Sequence, residues 1–208
     1  MDFECLARCC IVNLRTNLLP HILAALLLTA LTPVIFSLSS LNGQLAAQPL
    51  EMYLSLTGML LMTPVFLPEQ NENIRDVVRV RKVSYLMCCA LRLLCMIVLI
   101  AAVYACITLV LRGCESQAGW QHFAGGTVTA VFLGSVGVAA AGISGNTIIG
   151  YMAAMVYYAL NFSLGRKLGA FYLFSMSASG AYSKIWFLAG TAVLLSGTFA
   201  WLRCVKKL

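Results

Sequence analysis

Apolar residues run along this chain in six long blocks separated by short polar stretches. A block of roughly 20 apolar residues is the length of helix that crosses the hydrocarbon core of a bilayer. The pattern predicts spans at 21–41, 52–67, 93–111, 123–141, 147–164 and 185–202. Pro33 falls inside the first, Pro64 interrupts the second and Pro68 stops it. The polar stretch "NGQLAAQPLE" after the first span reads as a loop. "GISGN" (142–146) is so short that spans four and five must form a tight antiparallel hairpin. In span four Gly126, Ala130 and Gly134 recur every four residues, with Gly137 and Ala141 beyond, a small-residue stripe that lets another helix approach closely. The helix of span three is expected to begin near Ser84, with Arg92 at its inner border snorkelling to headgroups.

Three segments depart from the block pattern. In residues 1–19, Glu4, Arg8 and Arg15 share one helical face and Phe3, Leu6, Cys10 and Leu14 another, which predicts an amphipathic helix lying in the membrane interface. Residues 165–183, "GRKLGAFYLFSMSASGAYS", are too interrupted to span and too apolar for a free loop, so a re-entrant or interface-lying piece is expected. Residues 68–83 are the third, and carry most of the sequence's unusual charge.

Composition agrees with the pattern. The 208 residues are 61% hydrophobic and 10% charged, and the mean hydropathy is +0.90. A soluble domain carries about 25% charged residues. The net charge of +7 therefore speaks of loop orientation rather than of nucleic acid. With the N-terminus inside, Arg8, Arg15, Arg75, Arg79, Arg81, Lys82, Arg203, Lys206 and Lys207 face the cytoplasm, against Arg112, Arg166, Lys167 and Lys184 outside. The positive-inside rule thus predicts both termini and residues 68–83 in the cytoplasm of a plasma-membrane protein. The start of the chain lacks the basic run and cleavage site of a signal peptide.

Candidate chemistry is sparse. The nine cysteines form no C-x-x-C pair and no zinc-ligand spacing, and read as small hydrophobes. The two histidines lie about a hundred residues apart without acidic neighbours, and no H-E-x-x-H occurs. All seven acids fall outside the predicted spans, Glu51 nearest at a span mouth. An ion-coupled secondary transporter ordinarily needs a buried acid, lysine or histidine at mid-membrane, so that class ranks second. Tyr157, Tyr158 and Asn161 on span five are candidates to line a pathway, with helix packing or interface anchoring the preferred reading for the two tyrosines; "NFS" (161–163) reads as a chance sequon, and Trp120, Trp186 and Trp201 as an interfacial belt.

The fifteen residues "PEQNENIRDVVRVRK" (68–82) hold Glu69, Glu72, Arg75, Asp76, Arg79, Arg81 and Lys82, a third of the 21 charged side chains. Asn73 can cap a helix whose apolar face is Ile74, Val77 and Val78 and whose polar face is Arg75, Asp76, Arg79 and Lys82. The basic end suits anionic lipid. The acidic, asparagine-rich start (Glu69, Asn71, Glu72) does not, whereas a docking element for a cytoplasmic protein accounts for both halves.

The order of these features resembles the ABC-2-type permeases, the membrane subunits of ATP-binding-cassette exporters. In that family a Glu, a polar run and an amphipathic coupling helix follow span two; "PEQNENIRDVVRVRKVS" is similar, with Glu69 at the acidic position, Ile74 to Arg79 as the coupling helix and Ser84 leading into span three. "GAFYLFSMS" (169–177), with Phe171, Tyr172 and Phe174, is similar in position to the family's extracellular re-entrant helices. The resemblance implies an all-α fold of six spans, N-in and C-in, in a bacterial plasma membrane, forming a transport pathway with a second permease subunit, identical or similar. It implies no enzymatic activity and no cofactor in this chain. No G-x-x-x-x-G-K-S/T occurs, so ATP and Mg would be bound by a separate ABC ATPase subunit docked on Glu69, Asn71, Glu72, Ile74, Arg75, Asp76, Val77, Val78 and Arg79. Longer relatives carry an extracellular domain that these connections have no room for.

Overall fold

A computed structural model describes residues 18–37, 39–70, 85–180 and 184–205, without the side chains of 68–70, 85–86 and 203–205. The predicted interfacial helix of 1–19, apart from its last two residues, and the predicted helix 73–82 of the 68–83 coupling segment therefore lie outside the described residues. Among the described residues every regular element is a helix. The helices are α1 (Leu19–Ile35), α2 (Gly43–Leu67), α3 (Tyr85–Gly113), α4 (Trp120–Ser144), α5 (Thr147–Leu164), the short α6 (Ser175–Ser179) and α7 (Ile185–Val205). Five are long and apolar enough to cross a membrane, α5 counted with the 3₁₀ turn that extends it to Phe171.

Two boundaries correct the expectations drawn from the block pattern. The first block yields only the 17 residues of α1, which stop at Ile35 instead of Leu41. The chain then leaves the helix to pair with the α3–α4 connection: Ser40 N–H donates to Cys114 O, Leu41 N–H to Ser116 Oγ, and Gln117 N–H to Leu41 O. The stretch 42–51 is not a loop. Asn42 is extended and the helix begins at Gly43, running through Pro49 into the second apolar block. Pro49 has no N–H to give, and the helix absorbs it as a π-turn over Pro49–Tyr53, in which Leu54 N–H reaches back five residues to Pro49 O at 2.9 Å. At the other end Pro64 coincides with a change to 3₁₀ winding over Thr63–Gln70.

Helix α4 is the hub, packed against α2, α5 and α7. The small-residue stripe makes this possible. A Cβ added to Gly58 of α2 would fall inside the Ala130 carbonyl, one on Gly134 would lie 2.6 Å from Gly58 O, and one on Gly150 of α5 2.6 Å from Gly137 O. Glycine is required there because backbone meets backbone. The hairpin turns on Gly145 in the left-handed region and Asn146, whose side chain accepts from Ile148 N–H at 2.9 Å. The core holds Leu50, Leu54, Leu61, Met62, Met96, Ile100, Tyr104 and Leu133. Outward faces stay apolar, with Leu23, Leu27 and Val34 on α1, Ile148, Met152 and Val156 on α5, and Trp186, Leu188 and Val193 on α7 exposed. Helices apolar on both inner and outer faces suit a lipid surrounding.

Successive helices run up and down. At one end His122 of α4 meets Gly43 of α2, accepting from Gly119 N–H at Nδ1 (3.1 Å) and donating to Gly43 O at Nε2 (2.8 Å). At the other end Arg92 of α3 donates to Val65 O of α2 at 3.1 Å and is buried. Arg92 thus does not snorkel to headgroups. Its guanidinium takes up a carbonyl in the proline-bounded 3₁₀ segment.

Candidate functional site

The most polar point of the core is where the connection 165–180 meets α2. The first part of this connection, Gly165–Phe171, is a 3₁₀ piece, followed by a turn at Tyr172–Phe174 and by α6. Such short elements leave many backbone groups without intrahelical partners. Inside an apolar bundle each unpaired group costs free energy. Side chains from α2, α5 and α7's leading residue supply the partners.

Glu51 is the centre. It is fully buried on the π-turn of α2. Its Oε1 accepts from Met176 N–H at 3.1 Å, and Oε2 accepts from Ser177 N–H at 2.9 Å, so the carboxylate sits on the first turn of α6. Lys184, 5% exposed, donates to Glu51 Oε1 at 2.6 Å and to Leu173 O at 2.7 Å, with its ammonium 5.0 Å from the centre of the Phe187 ring. Burial pushes the Lys184 ammonium below the ordinary lysine range, and the Glu51 charge and hydrogen bond pull it part of the way back. A carboxylate, an ammonium and a helix N-terminus thus neutralise one another in a dry setting, the condition under which buried charges persist.

Helix α5 completes the frame. Asn161 is fully buried; its Oδ1 accepts from Leu173 N–H at 2.8 Å and its Nδ2 donates to Tyr157 O at 2.8 Å. Tyr157 Oη donates to Phe171 O at 2.7 Å. The π-turn also releases carbonyls: Leu50 O accepts from Tyr104 Oη at 2.9 Å, and Met52 O accepts from Tyr158 Oη. An aromatic cluster surrounds the polar centre. Phe132 lies edge-on to Phe187 at 4.7 Å and near Tyr157 at 5.5 Å, while Phe174 contacts Tyr158, Phe162 and Tyr172 at 4.7 to 5.8 Å.

The residues singled out in sequence fall in two groups. Phe171, Tyr172 and Phe174 are on the connection, Phe174 buried, Tyr172 half-buried and Phe171 exposed at 41%. Of the docking candidates, Glu69 lies at the end of the 3₁₀ segment with its side chain outside the described residues, as are Asn71, Glu72, Ile74, Arg75, Asp76, Val77, Val78 and Arg79 entirely. The expectation that every acid lies outside the spans is corrected: Glu51 is inside α2, because the helix starts eight residues before it. Sequence reasoning also missed Lys184 as its partner, counting it as a surface charge. The available signal was an acid and a base at two predicted span mouths on the same side. Asn161, a candidate pathway-lining residue, is instead buried as a specific acceptor for the connection.

Among the described residues no group of three or more His, Cys, Asp or Glu side chains is placed to hold a metal ion. Compared with family models, with curated proteins and with solved structures, the chain gave no match.

Proposed function

We propose that this chain is the membrane subunit of an ATP-driven exporter of the ABC-2 type, with α1 as the first of six spans and residues 68–83 as the cytoplasmic segment gripped by a separate ATPase. The observation that carries the reading is a continuous helical connection, of π, α and 3₁₀ winding in turn. The helix that leads into the charged segment at Gln70 is the one that holds the 165–180 connection at Glu51. From Glu51 to Glu69 is about 30 Å, at about 1.5 Å per residue to Thr63 and about 2.0 Å per residue along the 3₁₀ stretch beyond it, close to the depth of a bilayer core. A pull on residues 68–83 would be transmitted through α2 to the far end of the bundle. Arg92 ties the exit of α2 by its bond to Val65 O, and the glycine contacts bring α2 and α4 backbone to backbone.

Orientation follows the charge bias. The inner segments hold more Lys and Arg than the outer ones, which carry Arg112, Arg166, Lys167 and Lys184. A second permease copy and lipid would cover the apolar outward faces of α1, α5 and α7.

Glu51 bears on the alternative, an ion-coupled secondary transporter. An acid now lies within a span, which that class requires. Both its oxygens are already occupied by Lys184, Met176 N–H and Ser177 N–H, which favours a structural charge over an ion carrier. Flux into proteoliposomes separates the two by its dependence on ATPase or on an ion gradient.

Charge reversal at Glu69 and Glu72 together is expected to leave the membrane subunit folded and to uncouple ATP hydrolysis from transport, lowering ATP-driven flux at least tenfold at unchanged expression. A double variant that transports normally contradicts the docking role.

A further inference from the structure

We infer that Glu51 and Lys184 form a reversible charge latch, which holds residues 170–179 in the bundle and lets them come away into water as a unit. This inference does not depend on what energises the protein.

The first observation is how the segment is attached. Its backbone is fixed to the bundle by side chains: Phe171 O by Tyr157, Leu173 N–H by Asn161, Leu173 O by Lys184, and the Met176 and Ser177 N–H groups by Glu51. These bonds join the segment to α2, α5 and Lys184 just before α7, and Ala178 O also accepts from Arg166 on the preceding 3₁₀ piece; the set can break together without unwinding α2, α5 or α7. The second is the backbone at its two ends. Gly169 (φ +58°) and Gly180 (φ +66°) both have left-handed φ, and Gly169 has nothing within 4 Å of an added Cβ. It is glycine for its conformation, not for space, as a pivot would be.

The third is the choice of an ion pair. Replacing a buried ion pair by groups of similar shape is often neutral or stabilising, because desolvating two charges costs as much as their attraction returns. An ion pair is therefore a poor means of fastening a segment permanently. Its distinctive property is that both partners are stabilised by water when they separate. An apolar pair lacks that compensation and a neutral polar pair has less of it. The ionic fastening brings the closed and open states closer in free energy, which a moving part needs.

The test is amide hydrogen exchange of the whole chain in nanodiscs. In the unmodified protein, the amides of Leu173, Met176 and Ser177 should exchange together, and at least tenfold faster than buried amides of α4. Equal protection of the segment and of α4, exchanging only on global unfolding, overturns the latch. The variants then test the charge itself through the Leu173 amide, whose acceptor Asn161 is untouched. Glu51→Gln or Lys184→Gln alone leaves a charge buried without its partner and should speed exchange at Leu173 about tenfold or more. The double variant Glu51→Gln/Lys184→Gln keeps one carbonyl oxygen that can accept from one of the two amides, and a side-chain donor at 184 for Leu173 O, but has no charges to hydrate, so it is read at Leu173 alone. It should slow exchange about tenfold below the unmodified protein. Exchange at Leu173 in the double variant at or above the unmodified rate overturns the proposal, and so does a slowing no greater than that of the buried amides of α4, which marks a pair that serves only overall stability.

Discussion

Replacing Lys184 by methionine is expected to destabilise the folded bundle by about 3–5 kcal/mol, the cost of stranding a buried charge. Glu51 is fully buried and would keep only the two amide donors of α6. Leu173 O would also lose its lysine donor. Thermal unfolding in mild detergent, followed by the fluorescence of the three tryptophans, measures the loss as a fall in midpoint. Adding Glu51→Gln to Lys184→Met should recover most of it, because the stranded charge is then gone. A single variant as stable as the unmodified protein would mean that the pair is hydrated in solution and that the dry polar centre does not exist.

The second large effect is expected at Gly58. Its missing side chain is what allows α2 to lie on the backbone of α4, and an added Cβ would coincide with the Ala130 carbonyl. Overpacking of side chains costs about 1–3 kcal/mol. Here the obstacle is main chain and cannot rotate away, so Gly58→Ala should reach at least the upper end of that range and Gly58→Val should prevent recovery of monodisperse protein. Gly197 of α7 is the internal comparison. Nothing lies within 4 Å of a Cβ there, and Gly197→Ala should gain up to about 1 kcal/mol of helix propensity. Size-exclusion profiles and melting midpoints of the three variants, made in parallel, check the difference. Equal behaviour of Gly58→Ala and Gly197→Ala would remove the close α2–α4 contact from the account.

These two sites also mark how far the sequence can be read. Helices α3, α4, α5 and α7 follow from apolar length alone, and the glycine stripe of α4 gave its close packing, because small residues at a spacing of four leave few other uses. The α4–α5 hairpin followed from five residues that offer no room for anything else. Helix α2 did not follow. Its first eight residues read as polar loop since Gln44, Gln48 and Pro49 match turn chemistry, and only the packing of Ala46, Ala47 and Leu50 in the core overrides it. That error hid Glu51: an acid outside a helix is a surface charge, whereas one on a buried π-turn needs partners. Those partners are 125 to 133 residues away in the chain, a pairing that spacing and periodicity do not encode. Arg92 was misplaced for a related reason. Snorkelling is the ordinary fate of an arginine at a span border, and the nearby carbonyl that captures it exists only because Pro64 and Pro68 disturb α2.

The central claim is that residues 68–83 are held by an ATPase. A photoreactive amino acid placed at Asn71, with the full chain kept in its native membrane, tests it most directly. Irradiation followed by mass spectrometry of the adducts should identify a protein that carries the G-x-x-x-x-G-K-S/T phosphate-binding sequence this chain lacks, and the adduct should vanish when Glu69 and Glu72 are reversed. Adducts with lipid alone, under conditions where the probe is incorporated and reacts, would contradict the claim and leave residues 68–83 as a surface helix on the bilayer.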